Sequence, residues 1–128
     1  MIIGIGVDVV HIHRLKRWHD IPGLLERYFH PDELSAALLK GGGAELSLAA
    51  RFAAKEAFGK ALGTGLAGIT LKEIMVKNRH NGQPEIFVSG TALAALRQSG
   101  ASHIHLSLTH ERDNAIAMVV LESEPEFT

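Results

Sequence analysis

The sequence contains no cysteine, which removes a disulfide framework and a thiolate metal site together and makes a reducing cytoplasm the expected setting. Charge of one sign is missing as well. Lys plus Arg number 13 against 14 for Asp plus Glu, so no overall field points to nucleic acid. Long hydrophobic runs are also absent. The apolar start at Met1 lacks a basic n-region, and Asp8 interrupts it far short of a bilayer span, so neither a signal peptide nor a transmembrane helix is expected. No repeat, low-complexity tract or composition break justifies a second domain. One domain covering residues 1–128 is expected, large enough to bury roughly two-thirds of the surface its unfolded chain exposes.

What is present is locally uneven. Arg14, Lys16 and Arg17 crowd one short segment, while Glu122, Glu124 and Glu126 make the other end acidic. Residues 2–10, "IIGIGVDVV", are β-branched and predict a strand; residues 11–20 predict a helix stopped by Pro22-Gly23. A second helix is expected from Pro31-Asp32 to the glycines at 41–43, and the longest from about Glu45 to Leu62, closing on Gly63. "GTGLAG" at 63–68 reads as a loop. Strands follow near 71–77 and 85–89 about an Asn81-Gly82 turn, then a helix from Thr91 to Gln98, then a hairpin of 103–109 and 115–122. This order predicts an α+β fold, a mainly antiparallel sheet packed on a long central helix. The G-x-G in "GIGVD" does not make a dinucleotide fingerprint, because the third glycine is missing and the glycines precede most of the strand.

Three stretches could hold chemistry. Asp8 inside an apolar strand needs a cation partner, an exposed strand end or a metal, since a buried unpaired carboxylate costs several kcal/mol. A salt bridge to Arg14, or a cap on the helix beginning near His11, are the plain explanations. In "RFAAKEAFGKALGTG", residues 51–65, Glu56 and Lys60 form an i,i+4 pair worth only about 0.2–0.5 kcal/mol if solvated. Gly59 within the same helix costs roughly 1 kcal/mol relative to Ala, which points to something lying close to that backbone. Arg51, Lys55 and Lys60 with the glycine loop suit phosphate oxygens, and Asp8 with Glu56 would supply the one or two carboxylates that magnesium takes. In the third stretch, "SLTHERDNAIAMVV" at 107–120, His110 and Glu111 stand at a strand end. His103, His105 and His110 raise a zinc reading, weakened by the lack of cysteine and by their failure to alternate onto one face.

The blocks "GIGVDVVHIHR", "RFAAKEAFGKALGTG", "NGQP" and "SLTHERDNAIAMVV" resemble, in order and separation, the holo-acyl-carrier-protein synthases, the small bacterial phosphopantetheinyl transferases. The resemblance spans essentially the whole chain and implies a single phosphopantetheinyl transferase domain. It implies magnesium-dependent transfer of the 4′-phosphopantetheine arm from coenzyme A to a serine of apo acyl carrier protein, in support of fatty acid biosynthesis. Asp8 and Glu56 would be the metal ligands. Asp8, Glu56 and Lys60 would form the catalytic set, and Arg51, Lys55, Lys60, Gly63, Gly65 and His110 would bind the coenzyme. Arg14 and Arg17 would face the acidic carrier. A homotrimer with active sites between subunits is also implied. Two positions depart from the family pattern: His11 stands where an acid is common, and Thr109 where serine is frequent. Glu56, a metal-bound water, Asp32 or Glu33 are the open choices for the proton acceptor. The competing readings are a noncatalytic coenzyme A or nucleotide-binding module, which would lack metal carboxylates, and a metal-dependent phosphohydrolase.

Overall fold

The computed structural model describes residues 1–125; the expected acidic residue Glu126 lies outside the described residues. The chain runs through β1 (Ile2–His11), α1 (Ile12–His19), α2 (Leu24–Tyr28), α3 (Pro31–Leu38), α4 (Ala44–Leu62), β2 (Ile74–Asn78), β3 (Pro84–Val88), α5 (Gly90–Ser99), β4 (His103–Glu111) and β5 (Asn114–Glu122). β1, β5 and β4 form one antiparallel sheet in that order, with Asp8 opposite Ala117 and Leu108 opposite the same alanine from the other side. β2 and β3 form a separate hairpin about Asn81-Gly82. This is the expected α+β arrangement of antiparallel sheet on a long helix.

The helix lies on the sheet at unusually short range, and the G-x-G explains it. A Cβ at Gly4 would sit 1.9 Å from the Ala61 carbonyl oxygen, and one at Gly6 would sit 2.0 Å from that of Ala57. Helix carbonyls therefore rest directly on the strand backbone. Ala53, Ala54, Ala57 and Ala61 complete the close contact from α4, and Ala115, Ala117, Val119 and Leu121 from β5. The opposite sheet face is apolar and open: Ile5, Val7, Val9 and Met118 are about half exposed, from 48% to 59%.

The observed boundaries differ from the expected ones at three places. α2 has only five residues, too few for periodicity to reveal, and starts after Gly23 in the left-handed region. α3 stops at Leu38, and Gly41–Gly43 make a 3-10 turn that leads straight into α4. β2 starts at Ile74 because Leu71–Glu73 are also a 3-10 turn. The Leu71 and Ile74 carbonyls both accept from the buried Lys55 ammonium, while the Glu73 carboxylate accepts the Thr91 N–H at the start of α5. Histidines cap two helices. The Nδ1 of His11 accepts the His13 N–H at 3.3 Å, and that of His30 accepts the Asp32 N–H at 3.0 Å. The cap at α1 is thus His11, not Asp8.

Candidate active site

Alternation along β1 turns Gly4, Gly6, Asp8 and Val10 toward α4. Asp8 is the first of these with a side chain of any length, and it emerges where the helix has passed the two glycines. Lys60 reaches back to it, donating to Asp8 Oδ1 at 2.8 Å and to the Val7 carbonyl at 3.2 Å. Those contacts hold the Lys60 ammonium above its ordinary pKa, chiefly through the hydrogen bond to Asp8. Glu56 stands one turn earlier on α4, half-buried and without a hydrogen bond or ion pair among the described residues. Burial pushes its carboxyl pKa up, and the Asp8 charge pushes it further, against the pull of Arg14 and Lys60. Asp8 makes no salt bridge to Arg14, whose guanidinium instead lies 4.9 Å from the Trp18 ring centre and 5.3 Å from that of Phe52.

Two carboxylates, with the Asp8 charge raising the pKa of Glu56 and a cation held at Asp8, are a donor set suited to a hard divalent cation. Among the described residues no group of three or more His, Cys, Asp or Glu gathers for a metal. Magnesium takes one or two protein carboxylates and completes its shell with water and phosphate, so Asp8 and Glu56 are the residues that could hold it. The three histidines that raised a zinc reading do not come together. His103 and His105 share the open sheet face, but each meets a glutamate, Glu124 at 2.6 Å and Glu122 at 3.0 Å. His110 stands apart from both at the far end of β4.

A second cluster lies on the other flank of α4. Lys40, Ser47, Arg51, Asn78, Thr109 and His110 line a cavity of about 280 Å³, whose floor is Leu46, Ala50, Val76 and Leu108. Arg51 donates to Ser47 Oγ at 3.3 Å and to the Val76 carbonyl, and its remaining nitrogen opens into the cavity. The sheet puts Leu108, at the cavity, two strands away from Asp8, roughly 10 Å across. One chain therefore brings Asp8, Glu56 and Lys60 together, and Arg51 and His110 together, but it does not bring the two groups into one pocket.

Lys55 departs from its expected place at the phosphates. Its side chain is completely buried, and its ammonium donates to Glu33 Oε1 at 2.8 Å, the Leu71 carbonyl at 2.9 Å and the Ile74 carbonyl at 2.5 Å. Three donors are satisfied by three acceptors, so none remains for a ligand. Glu33 is withdrawn from the proton acceptors for the same reason, since its oxygens also accept the His30 and Val76 N–H groups. Gly59 is explained by the chain itself: Leu66 of the 63–68 loop packs where a Cβ would stand, and the Gly65 N–H donates to the Gly59 carbonyl at 3.0 Å. Gly63 ends α4 in the left-handed region, and both Gly63 and Gly65 have open space where a side chain would project. Arg14 and Arg17 are exposed on α1 as expected. Lys40, Ser47 and Asn78 are polar cavity residues that sequence reasoning missed; for Lys40 the only signal was a cation beside the Gly41–Gly43 run.

The profile of the 4′-phosphopantetheinyl transferase superfamily matches residues 4–119. A holo-[acyl-carrier-protein] synthase of Treponema denticola is 56% identical over 122 residues, covering 95% of this chain and 99% of that protein. The crystal structure of holo-[acyl-carrier-protein] synthase from Neisseria meningitidis has a TM-score of 0.86 at 36% identity, covering 96% of this chain and all of that one. A holo-(acyl-carrier-protein) synthase from Bacillus anthracis, solved in complex with CoA (3′,5′-ADP), has a TM-score of 0.81 at 36% identity, covering 97% and 99%. The chain belongs to the 4′-phosphopantetheinyl transferase superfamily.

Proposed function

We propose that the chain transfers 4′-phosphopantetheine from coenzyme A to a serine of apo acyl carrier protein. The observation that carries this reading is the facing of Asp8 on β1 by Glu56 and Lys60 on α4, in a chain whose relatives are holo-acyl-carrier-protein synthases. In the reaction the serine Oγ forms a bond to the pantetheine-side phosphorus, and the bond from that phosphorus to the bridging oxygen breaks. Adenosine 3′,5′-bisphosphate leaves, and the serine proton is lost. Asp8 and Glu56 would hold magnesium, which would supply charge withdrawal from the diphosphate. Lys60, already drawn to this point by Asp8, offsets charge that accumulates on non-bridging oxygens. Of the side chains considered as acceptors of the serine proton, Glu56 and Asp32 remain, because Glu33 is taken up by Lys55 and two backbone N–H groups.

On this reading Arg51, His110 and Lys40 hold phosphate in the cavity, with Gly63 and Gly65 beside the nucleotide. The separation of that cavity from Asp8 favours a site built by two subunits. The open apolar face of β1 and β5 favours the homotrimer that would build it. Arg14, stacked on Trp18 and Phe52 and felt by Glu56, and Arg17 receive the acidic carrier. A cytoplasmic setting and service to fatty acid synthesis belong to the same proposal. Among the described residues no helix is long and apolar enough to cross a membrane. No observation specific to a noncatalytic module or to a phosphohydrolase favours either.

The test is mass spectrometry of apo acyl carrier protein after incubation with the chain, coenzyme A and magnesium. A phosphopantetheine mass increase that disappears with chelator and returns with magnesium is expected. Unmodified carrier in the presence of folded protein overturns the proposal.

A further inference from the structure

Of the buried charges among the described residues, the transfer chemistry uses only Arg51. Glu33, Lys55 and Arg51 are at most 5% exposed, and they join three elements: α3, α4 and β2. Glu33 is fully committed. Oε1 accepts from Lys55 Nζ at 2.8 Å and from the His30 N–H at 3.0 Å, and Oε2 accepts the Val76 N–H at 3.1 Å. Oε2 also stands 3.9 Å from the Arg51 guanidinium, close enough for attraction but too far for a hydrogen bond. Arg51 therefore receives a countercharge without spending a donor on it. Its Nε and Nη1 are fixed by Ser47 and by the carbonyl of Val76, the residue whose N–H Glu33 also holds. What is left over, Nη2, opens into the cavity with His110 and Lys40.

We infer that Glu33 is a positioning residue for coenzyme binding, acting through Arg51: it fixes Val76 and Lys55 around the guanidinium and leaves one edge of it aimed at a phosphate. This rests on the assignment of Arg51 to the coenzyme made above. Burial alone disfavours the charge on both Arg51 and Lys55, and Glu33 is the group that opposes it for each.

The conservative variant Glu33→Gln keeps the shape and leaves two interior cations without a countercharge. The Glu33→Gln/Lys55→Met double variant guards against simple misfolding, because an apolar replacement of the buried ammonium leaves no unpaired cation but Arg51. Both, with Arg51→Ala and the triple combination, are assayed for kcat and for KM toward coenzyme A at saturating carrier, with oligomeric state and circular dichroism checked first. Expected is a rise in coenzyme KM of about tenfold with kcat within about twofold of the parent, the equivalent of one charge-assisted contact. In the Arg51→Ala background, loss of Glu33 adds nothing further. A folded Glu33 variant with parental KM, or effects that add fully to those of Arg51→Ala, overturns the inference while leaving the coenzyme assignment in place. Parental KM in Arg51→Ala itself overturns both.

Discussion

Replacing Gly6 by alanine puts a methyl carbon 2.0 Å from the carbonyl oxygen of Ala57 and 2.7 Å from the amide nitrogen of Ala61. An ordinary carbon to oxygen contact is about 3.3 Å, so α4 must retreat from β1 by on the order of 1 Å. Both obstacles are helix backbone, which no rotamer change can relieve. Gly6 is not in the left-handed region, so the substitution also removes unfolded-state entropy and should gain about 0.4–1 kcal/mol. The clash wins, because overpacking a fixed contact costs about 1–3 kcal/mol and occasionally more. A net loss of roughly 2 kcal/mol corresponds to a fall in Tm of roughly 5–15 °C for a domain of this size. The loss should be visible by thermal circular dichroism at fixed protomer concentration, since an oligomer's stability depends on it. Gly42→Ala serves as the control: no atom lies within 4 Å of the new carbon, and the parent stability should be kept or slightly raised. Activity should fall further than stability, because the same retreat separates Asp8 from Glu56, and a 1 Å misplacement costs on the order of 100-fold. A Gly6→Ala protein as stable as the parent would refute the direct seating of helix on strand.

Glu56→Gln should abolish transfer yet raise the Tm at neutral pH. A carboxyl whose folded pKa lies above its unfolded one stabilises the fold only while protonated, and that contribution is lost as pH rises through the folded value. The difference in Tm from the parent should shrink as pH falls into the ordinary carboxylate range, and magnesium should raise the Tm of the parent but not of the variant. Val7→Asp, on the open face of the sheet, should leave the fold of each protomer intact but break the proposed homotrimer; light scattering coupled to gel filtration that still reports the parent mass would show that this face is not the interface.

The elements were largely legible because their signals are local. Gly63, Asn81-Gly82 and Gly100 end or turn their segments where backbone geometry demands it, and the apolar β1 could be read from β-branching alone. The Asp8, Glu56 and Lys60 cluster was legible through residue type and family pattern, although its assembly depends on how β1 crosses α4. What sequence could not reveal is the direction in which a helix residue points. Arg51 and Lys55 are one turn apart and chemically alike, yet one reaches a cavity and the other ends inside the core. Only tertiary packing separates a ligand cation from a structural one. In the same way Gly59 was correctly read as a place of close approach, but the approaching group is Leu66 rather than a ligand.

The pairing of the first strand with the last has a consequence for how the protein is made. Ile2 finds Glu122 and His11 finds Asn114, so β1 leaves the ribosome long before its partner exists. At about 5–20 residues per second, the strand that bears Asp8 waits on the order of ten seconds with its apolar face and its backbone unpaired. Such long-range closure folds slowly, and the interval favours chaperone capture or aggregation over function. The carboxylate proposed to anchor the metal is thus synthesised roughly a hundred residues before Ala117, the residue its backbone pairs with.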